Sequence, residues 1–266
     1  GFPEVQDRQT LLFSATFSDS IKQLADTIMR KDQTVMVTNK KSSGQASSRV
    51  LQKFVEVPQY DKNKKIYEVL EADLEREKEA LKKSGGDPST AHVRRTLVFT
   101  RQKRTTDLVA SYLSSKGIMT TTINSDRTQE LRERALNDFR EDRCHVLVTT
   151  DVCSRGIDIH DLDHVINYDL PGDAITYVHR IGRTGRLYEG TATSFISPGT
   201  DSAELCGQIV EIVRGAQQEP PQFLIYAAEG RQSGDLDSGV GGSNEENQQQ
   251  SAAVPKPAPQ PMNPDW

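Results

Sequence analysis

Five short runs, TLVF (96–99), MTTTI (119–123), HVLVTT (145–150), HVINY (164–168) and TATSFI (191–196), alternate with polar stretches long enough to form helices. This rhythm constrains the fold more than any other feature. Strands separated by whole helices pair in parallel, because a tight turn can join only antiparallel neighbours. A parallel sheet must then be covered on both faces. The expected class is therefore α/β, a parallel sheet with helices on both sides.

The intervening helices are predicted from near Asp61, with Ile66, Leu70 and Leu74 inward, then over 103–116, 127–140, 173–181 and 200–214. Gly117 should close the second of these. VLQKFVEV (50–57) adds a strand ahead of them. Further upstream, QTLLF (9–13) and TVMV (34–37) are expected to be strands. They flank a helix that starts at Ser18 or Asp19 and presents Ile21, Leu24, Ala25, Ile28 and Met29 on one face. The polar TNKKSSGQASS (38–48) reads as a linker. The domains predicted are thus 1–37, the linker 38–48, a main domain over 49–228 and a tail over 229–266.

Composition refines this division. Mean hydropathy is −0.62, and the polar residues concentrate after Gly230. The segment from Arg231 is Gly, Ser, Gln and Pro with almost no apolar cluster, so it cannot offset the entropy of ordering and is expected to be disordered. Six acidic and two basic residues fall from Glu229 onward, so the tail carries −4 of the net −5. The nearly neutral body is no polycation, yet it has room for a local basic site. Cys144, Cys153 and Cys206 are odd in number and lack C-x-x-C spacing, as in an intracellular protein with reduced thiols and no metal site. No apolar run approaches a membrane span, and no membrane partner is expected.

In parallel α/β sheets, ligands sit beyond the carboxyl ends of the strands. The loops there are SAT (14–16), TRQKR (100–104), NSDRTQ (124–129), TDVCSRGID (150–158) and DLPGD (169–173). A further segment, HRIGRTGR (179–186), spaces Arg180, Arg183 and Arg186 three apart around Gly182 and Gly185. Guanidiniums suit bidentate phosphate contact, and glycines let a ligand approach the main chain. Taken alone, the same stretch also fits a basic surface loop held by salt bridges.

SAT after LLF, TTDVCSRGIDI (149–159), VINYDLP (165–171) and HRIGRTGR are similar, in order and spacing, to the motifs of the DEAD-box RNA helicases. The resemblance runs from about Gln9 to Phe223, and the PDW ending is similar to the tail of the Vasa-like subgroup. It implies two RecA-like domains that close together on ATP·Mg²⁺ and single-stranded RNA. The chain has neither a Gly-Lys nor an Asp-Glu dipeptide, hence no phosphate-binding loop and no DEAD segment. By resemblance it is a fragment: the last strand and helix of the first RecA-like domain, a linker, and the whole helicase C-terminal domain. ATP and Mg²⁺ would be held mainly by the first domain, and the fragment alone would be inactive.

The resemblance also assigns roles. Arg183 and Arg186 match the arginine fingers on the γ-phosphate, and His179 and Arg180 fit braces of their loop that contact neighbouring acids. Gly156 and Asp158 match the nucleotide-binding pair, with Asp158 on the ribose; an aspartate after a strand is otherwise an ordinary turn or cap residue. Thr150 and Arg132 match RNA-phosphate contacts, although Arg132 equally fits the solvated face of an amphipathic helix. Asp126 falls at another RNA-contact position, where Asn124 and Ser125 replace the usual His-Gly. Arg101 stands where the family carries Glu-Thr and offers a further phosphate contact. Ser14 and Thr16 match the segment that couples hydrolysis to unwinding, and are also ordinary helix-cap residues. The function implied is an ATP-dependent RNA helicase that grips backbone without reading sequence, with ribonucleoprotein partners, inside the cell in cytoplasm, ribonucleoprotein granules or nucleus. A helicase-derived binding module without turnover is the alternative.

Overall fold

A computed structural model describes residues 3–14, 19–30, 33–37, 46–154, 159 and 162–231, with only the backbone of Ser154. In chain order the elements are α1 (Asp19–Ile28), β1 (Val50–Glu56), α2 (Lys62–Ser84), β2 (Thr96–Phe99), α3 (Lys103–Ser115), β3 (Thr120–Ile123) and α4 (Gln129–Arg140). They continue with β4 (Val146–Thr149), α5 (Asp151–Ser154), β5 (His164–Asn167), α6 (Ala174–Ile181), β6 (Gly190–Ile196), α7 (Ala203–Gly215) and α8 (Gln222–Ala228).

The strands form one six-stranded sheet in the order β1-β6-β5-β2-β4-β3, and every pairing is parallel. This is the RecA-like architecture expected. Alternation along each strand divides the core. Leu97 and Phe99 of β2 join Leu147 of β4 in a cluster with Phe139 of α4, Tyr177 of α6, Ile209 of α7 and Leu224 of α8. Val98 and Val148 turn the other way, onto Ile66 and Leu70 of α2 and Val109 and Leu113 of α3. Central strands β2, β4, β5 and β6 are buried throughout. The flanking β1 and β3 are buried only in part.

Helix starts follow local chemistry. The side chains of Thr128, Asp173 and Ser202 accept from the backbone N–H groups of Leu131, Thr176 and Leu205, capping α4, α6 and α7. Gly117, at φ 83°, turns the chain out of α3.

Two expected strands are absent, and two helices stand where none was expected. Residues 9–13 and 34–37 are not strands. Phe13 is 87% and Val37 91% exposed, and an apolar run becomes a strand only beside a strand that pairs with it. α8 was not anticipated, because QFLIYAA has no polar face to reveal a helical period. α5, a single turn, is below the length at which periodicity is visible.

Candidate nucleotide and nucleic-acid interface

The strand order reverses at β2, whose neighbours are β5 on one side and β4 on the other. Beyond the carboxyl ends of β5, β2, β4 and β3 lie, in that spatial order, Asp169, Arg101, Thr150 and Asp126. Neighbouring strands are about 4.8 Å apart, so these residues form a row along one sheet end. Asp169 organises its middle. One of its carboxylate oxygens accepts from Lys62 Nζ at 2.9 Å, and the other accepts from the Arg101 N–H at 2.9 Å.

The Arg101 guanidinium is half exposed and only 3.7 Å from Asp201, too far for a hydrogen bond. Thr150 is half-buried, and its carbonyl accepts from the Cys153 N–H at 3.2 Å as α5 begins. Asp126 accepts from Lys103 Nζ at 2.6 Å, and Asn124 is buried, donating to Thr106 and Asp107. On α4, Arg132 donates through Nη1 to Gln129 at 3.2 Å, while its shielded Nε has no partner among the described residues.

Arg180 is the hub between this row and α6. It is buried, and its fork donates Nε and Nη2 to the two oxygens of Asp151 at 2.6 and 2.7 Å. Nη1 donates to Asn167 Oδ1 at 3.1 Å and to the Asp169 carbonyl at 2.7 Å, and the guanidinium lies 4.8 Å from the Phe99 ring centroid. The planar fork is thus fully used, with an aromatic face beneath it. His179, grouped with Arg180 by sequence, is exposed and makes no side-chain hydrogen bond among the described residues. Successive helical residues point about 100° apart, so one faces the sheet and the next faces water.

The arginine loop does not lie with that row. α6 leaves the carboxyl end of β5 and returns along the sheet, delivering residues 182–186 to the ends where strands begin. There Arg49 Nη1 donates to the Arg186 carbonyl at 2.7 Å, Gly190 N–H donates to the Arg49 carbonyl at 3.0 Å, and Leu162 bridges Thr184. The glycine reading changes with it. Gly185 has φ +71°, and a Cβ there would stand 2.5 Å from Val50 Cγ2. It admits the protein's own β1, not a ligand. Arg183 is half-buried, whereas Arg186 is exposed and uses Nε to donate to the Gly182 carbonyl at 3.0 Å.

Ser14 is exposed. Thr16, Gly156 and Asp158 lie outside the described residues, as does the tail beyond Arg231. Among the described residues no cluster of three His, Cys, Asp or Glu side chains is placed to hold a metal ion.

Two buried charge networks escaped the sequence reading. Lys62, 1% exposed at the start of α2, pairs with Asp169 and lies 5.5 Å from the Tyr168 ring centroid. Burial and the Asp169 charge push the Tyr168 phenol up to about 12, so it stays a donor, to Asn63 at 3.0 Å. At the opposite end of the sheet, Asp73 accepts from Arg94 at 2.8 Å and from His164 Nδ1 at 3.0 Å, while His164 Nε2 meets Thr193 Oγ1 at 2.8 Å. Burial pushes the Asp73 carboxyl up, but hydrogen bonds and charge from His164 and Arg94 bring it down to about 2. Burial lowers His164 despite Asp73. The two bonds fit a neutral ring that donates from Nδ1 and accepts at Nε2. A lysine or aspartate on a charged helix reads as solvated, so neither network had a sequence signal.

A parallel sheet with this strand order, and a basic turn returned to its strand-starting end, defines a RecA-like helicase C-terminal domain. Residues 62–188 match the helicase conserved C-terminal domain. The bovine probable ATP-dependent RNA helicase DDX4 is 40% identical over 225 residues, 84% of this chain and 28% of that protein. The ATP-dependent RNA helicase vasa of Drosophila melanogaster is 38% identical over 237 residues, 89% of this chain and 32% of that protein. Among solved structures, S. cerevisiae Dbp5 bound to RNA and ADP BeF3 has a TM-score of 0.62 at 28% identity, covering 85% of this chain and 54% of that one. The chain belongs to the DEAD-box RNA helicase family. It spans less than a third of the length of these two curated relatives.

Proposed function

We propose that this chain is the C-terminal RecA-like part of an ATP-dependent RNA helicase, with residues 1–37 ending a first RecA-like domain, 38–48 linking the two, 49–228 forming the second domain and 229–266 a tail. The names of the relatives support the activity. The observation that carries the division of labour is the placement of α6. Its carboxyl end sets Arg183 and Arg186 at one end of the sheet, while the RNA row occupies the other.

In this reading Arg186, exposed on a turn fixed by Arg49, faces the γ-phosphate of ATP with Arg183 beside it. ATP supplies the phosphoryl group, and the charge that grows on it during transfer is what a fixed guanidinium stabilises. Gly156 and Asp158 are assigned to the nucleotide, and Ser14 and Thr16 to coupling. Thr150, Arg132 and Arg101 meet RNA phosphates, contacts that position a strand without reading bases. Asp126 cannot meet a phosphate; as an acceptor it suits a ribose hydroxyl. Arg180 holds the two groups in fixed relation. The RNA client places the protein inside the cell, with ribonucleoprotein partners.

The test is steady-state kinetics of the full-length protein with saturating RNA. Arg186→Ala should lower kcat by about 10³-fold or more while the Kd for ATP changes little, because the contact strengthens only in the transition state. A variant with near wild-type kcat would assign Arg186 to the architecture of the turn instead.

A further inference from the structure

We infer that the open edge of β1 is a docking site for an extended peptide segment in which acidic and apolar residues alternate. A cleft of about 430 Å³ lies along this edge, far from the RNA row, and residues from both faces of β1 line it. Only a space that wraps the strand's edge can meet both faces, since neighbouring side chains point to opposite sides.

Among the described residues β1 pairs with β6 alone. The bonds from Gly190 N–H to the Arg49 carbonyl and from Val57 N–H to the Ile196 carbonyl show that odd-numbered residues face β6. The main-chain groups of Val50, Gln52 and Phe54 therefore point outward. Gln218 already takes the place of a neighbouring strand at one end: its Nε2 donates to the Val50 carbonyl at 2.8 Å, and its Oε1 accepts from the Gln52 N–H at 2.9 Å. Beyond it, the Gln52 carbonyl and both main-chain groups of Phe54 have no partner among the described residues. An added strand would continue the pairing that the Gln218 amide begins.

The walls set the side-chain preference. On one side stand Phe54 and Pro221, an apolar surface. On the other, Lys53, Arg76 and Arg94 surround the fully buried Asp73. With His164 neutral, one carboxylate faces three cations, an excess of two positive charges. A strand laid along β1 presents alternate residues to these two walls, hence the alternation of acidic and apolar side chains.

The probe is a fluorescein-labelled, terminally blocked peptide of seven residues alternating glutamate and valine, titrated with the 266-residue chain and followed by anisotropy. The expected result is saturable binding, weakened about tenfold or more by combined Lys53→Glu and Arg76→Glu, both on exposed side chains, with unchanged circular dichroism. Methylating alternate peptide amides in one of the two frames should abolish binding while the other frame retains it, and a lysine–valine peptide should not bind. No saturation at millimolar chain overturns the proposal. So does binding indifferent to both amide frames, which would be charge attraction without strand pairing. Displacement of the peptide by oligo(U) from the wild-type chain would assign the cleft to RNA and overturn it equally.

Discussion

Three arginines at three-residue spacing occupy three different environments. Arg180 is buried with its donors engaged, Arg183 is half-buried, and Arg186 is exposed. The brace role of Arg180 came from the family resemblance, which gave it equally to the exposed His179; only burial separates the two. Sequence could not identify Asp151 as the partner, which comes from a different strand end. Replacing Arg180 with Ala removes its hydrogen bonds to Asp151, Asn167 and the Asp169 carbonyl, at a cost of about 3–5 kcal/mol. Arg180→Lys keeps the charge but loses the fork and should cost less. Arg186→Ala should change stability by no more than about 0.5 kcal/mol. Urea unfolding of the three variants separates them; equal losses for Arg180→Ala and Arg186→Ala would refute the distinction between brace and exposed side chain.

Among elements, the turn after α6 depends on a residue that has no side chain. Gly185→Ala combines a left-handed backbone with a collision against Val50, and should cost about 1–3 kcal/mol. Thermal unfolding measures this. Val50→Ala in the same chain should recover part of the loss, since it removes the colliding methyl; no recovery would place the whole cost in the backbone. How far elements could be read from sequence followed the same physics. β2, β4 and β5 were visible because strands buried on both faces are continuously apolar. Residues 9–13 show the converse: a similar apolar run, with no strand beside it among the described residues, stays unpaired. The placing of Asp169, Arg101, Thr150 and Asp126 at the strand-finishing end was legible by position, because each follows a strand that the sequence reveals. The location of the arginine turn at the other end was not, because sequence shows where α6 starts but not that its far end lies a sheet's depth away.

At the scale of the domain, the Asp73 network joins α2 to β5, β6 and the segment before β2. Its pH dependence has a definite sign. The Asp73 carboxyl is lowered to about 2 in the folded state from 3.8. Its contribution of about 2 kcal/mol is therefore complete above pH 4 and lost as pH falls toward 2. His164, lowered from 6.5 by burial, acts in the same direction at higher pH: the unfolded chain takes up a proton below about 6.5 that the folded one resists. Stability measured by urea unfolding should thus decline from pH 7 downward in two stages. Asp73→Asn should remove the lower stage and reduce stability at pH 7 by about 3 kcal/mol or more. A profile in Asp73→Asn as steep as the wild type between pH 4 and 2 would assign that stage to other carboxylates.

The pairing of β1 with β6 also governs the timing of folding during synthesis. The first strand of the sheet lies against the last, and among the described strands β6 is the only one that joins β1 to β5. Ribosomes add about 5–20 residues per second, so Glu56 is made on the order of ten seconds before Gly190. Throughout that interval β1 has no place in the sheet, and a nascent chain stopped before β6 can assemble at most the four strands β5, β2, β4 and β3. The domain therefore closes late, in one step that requires its sixth strand, and the apolar face of α2 waits uncovered on its β1 side until then.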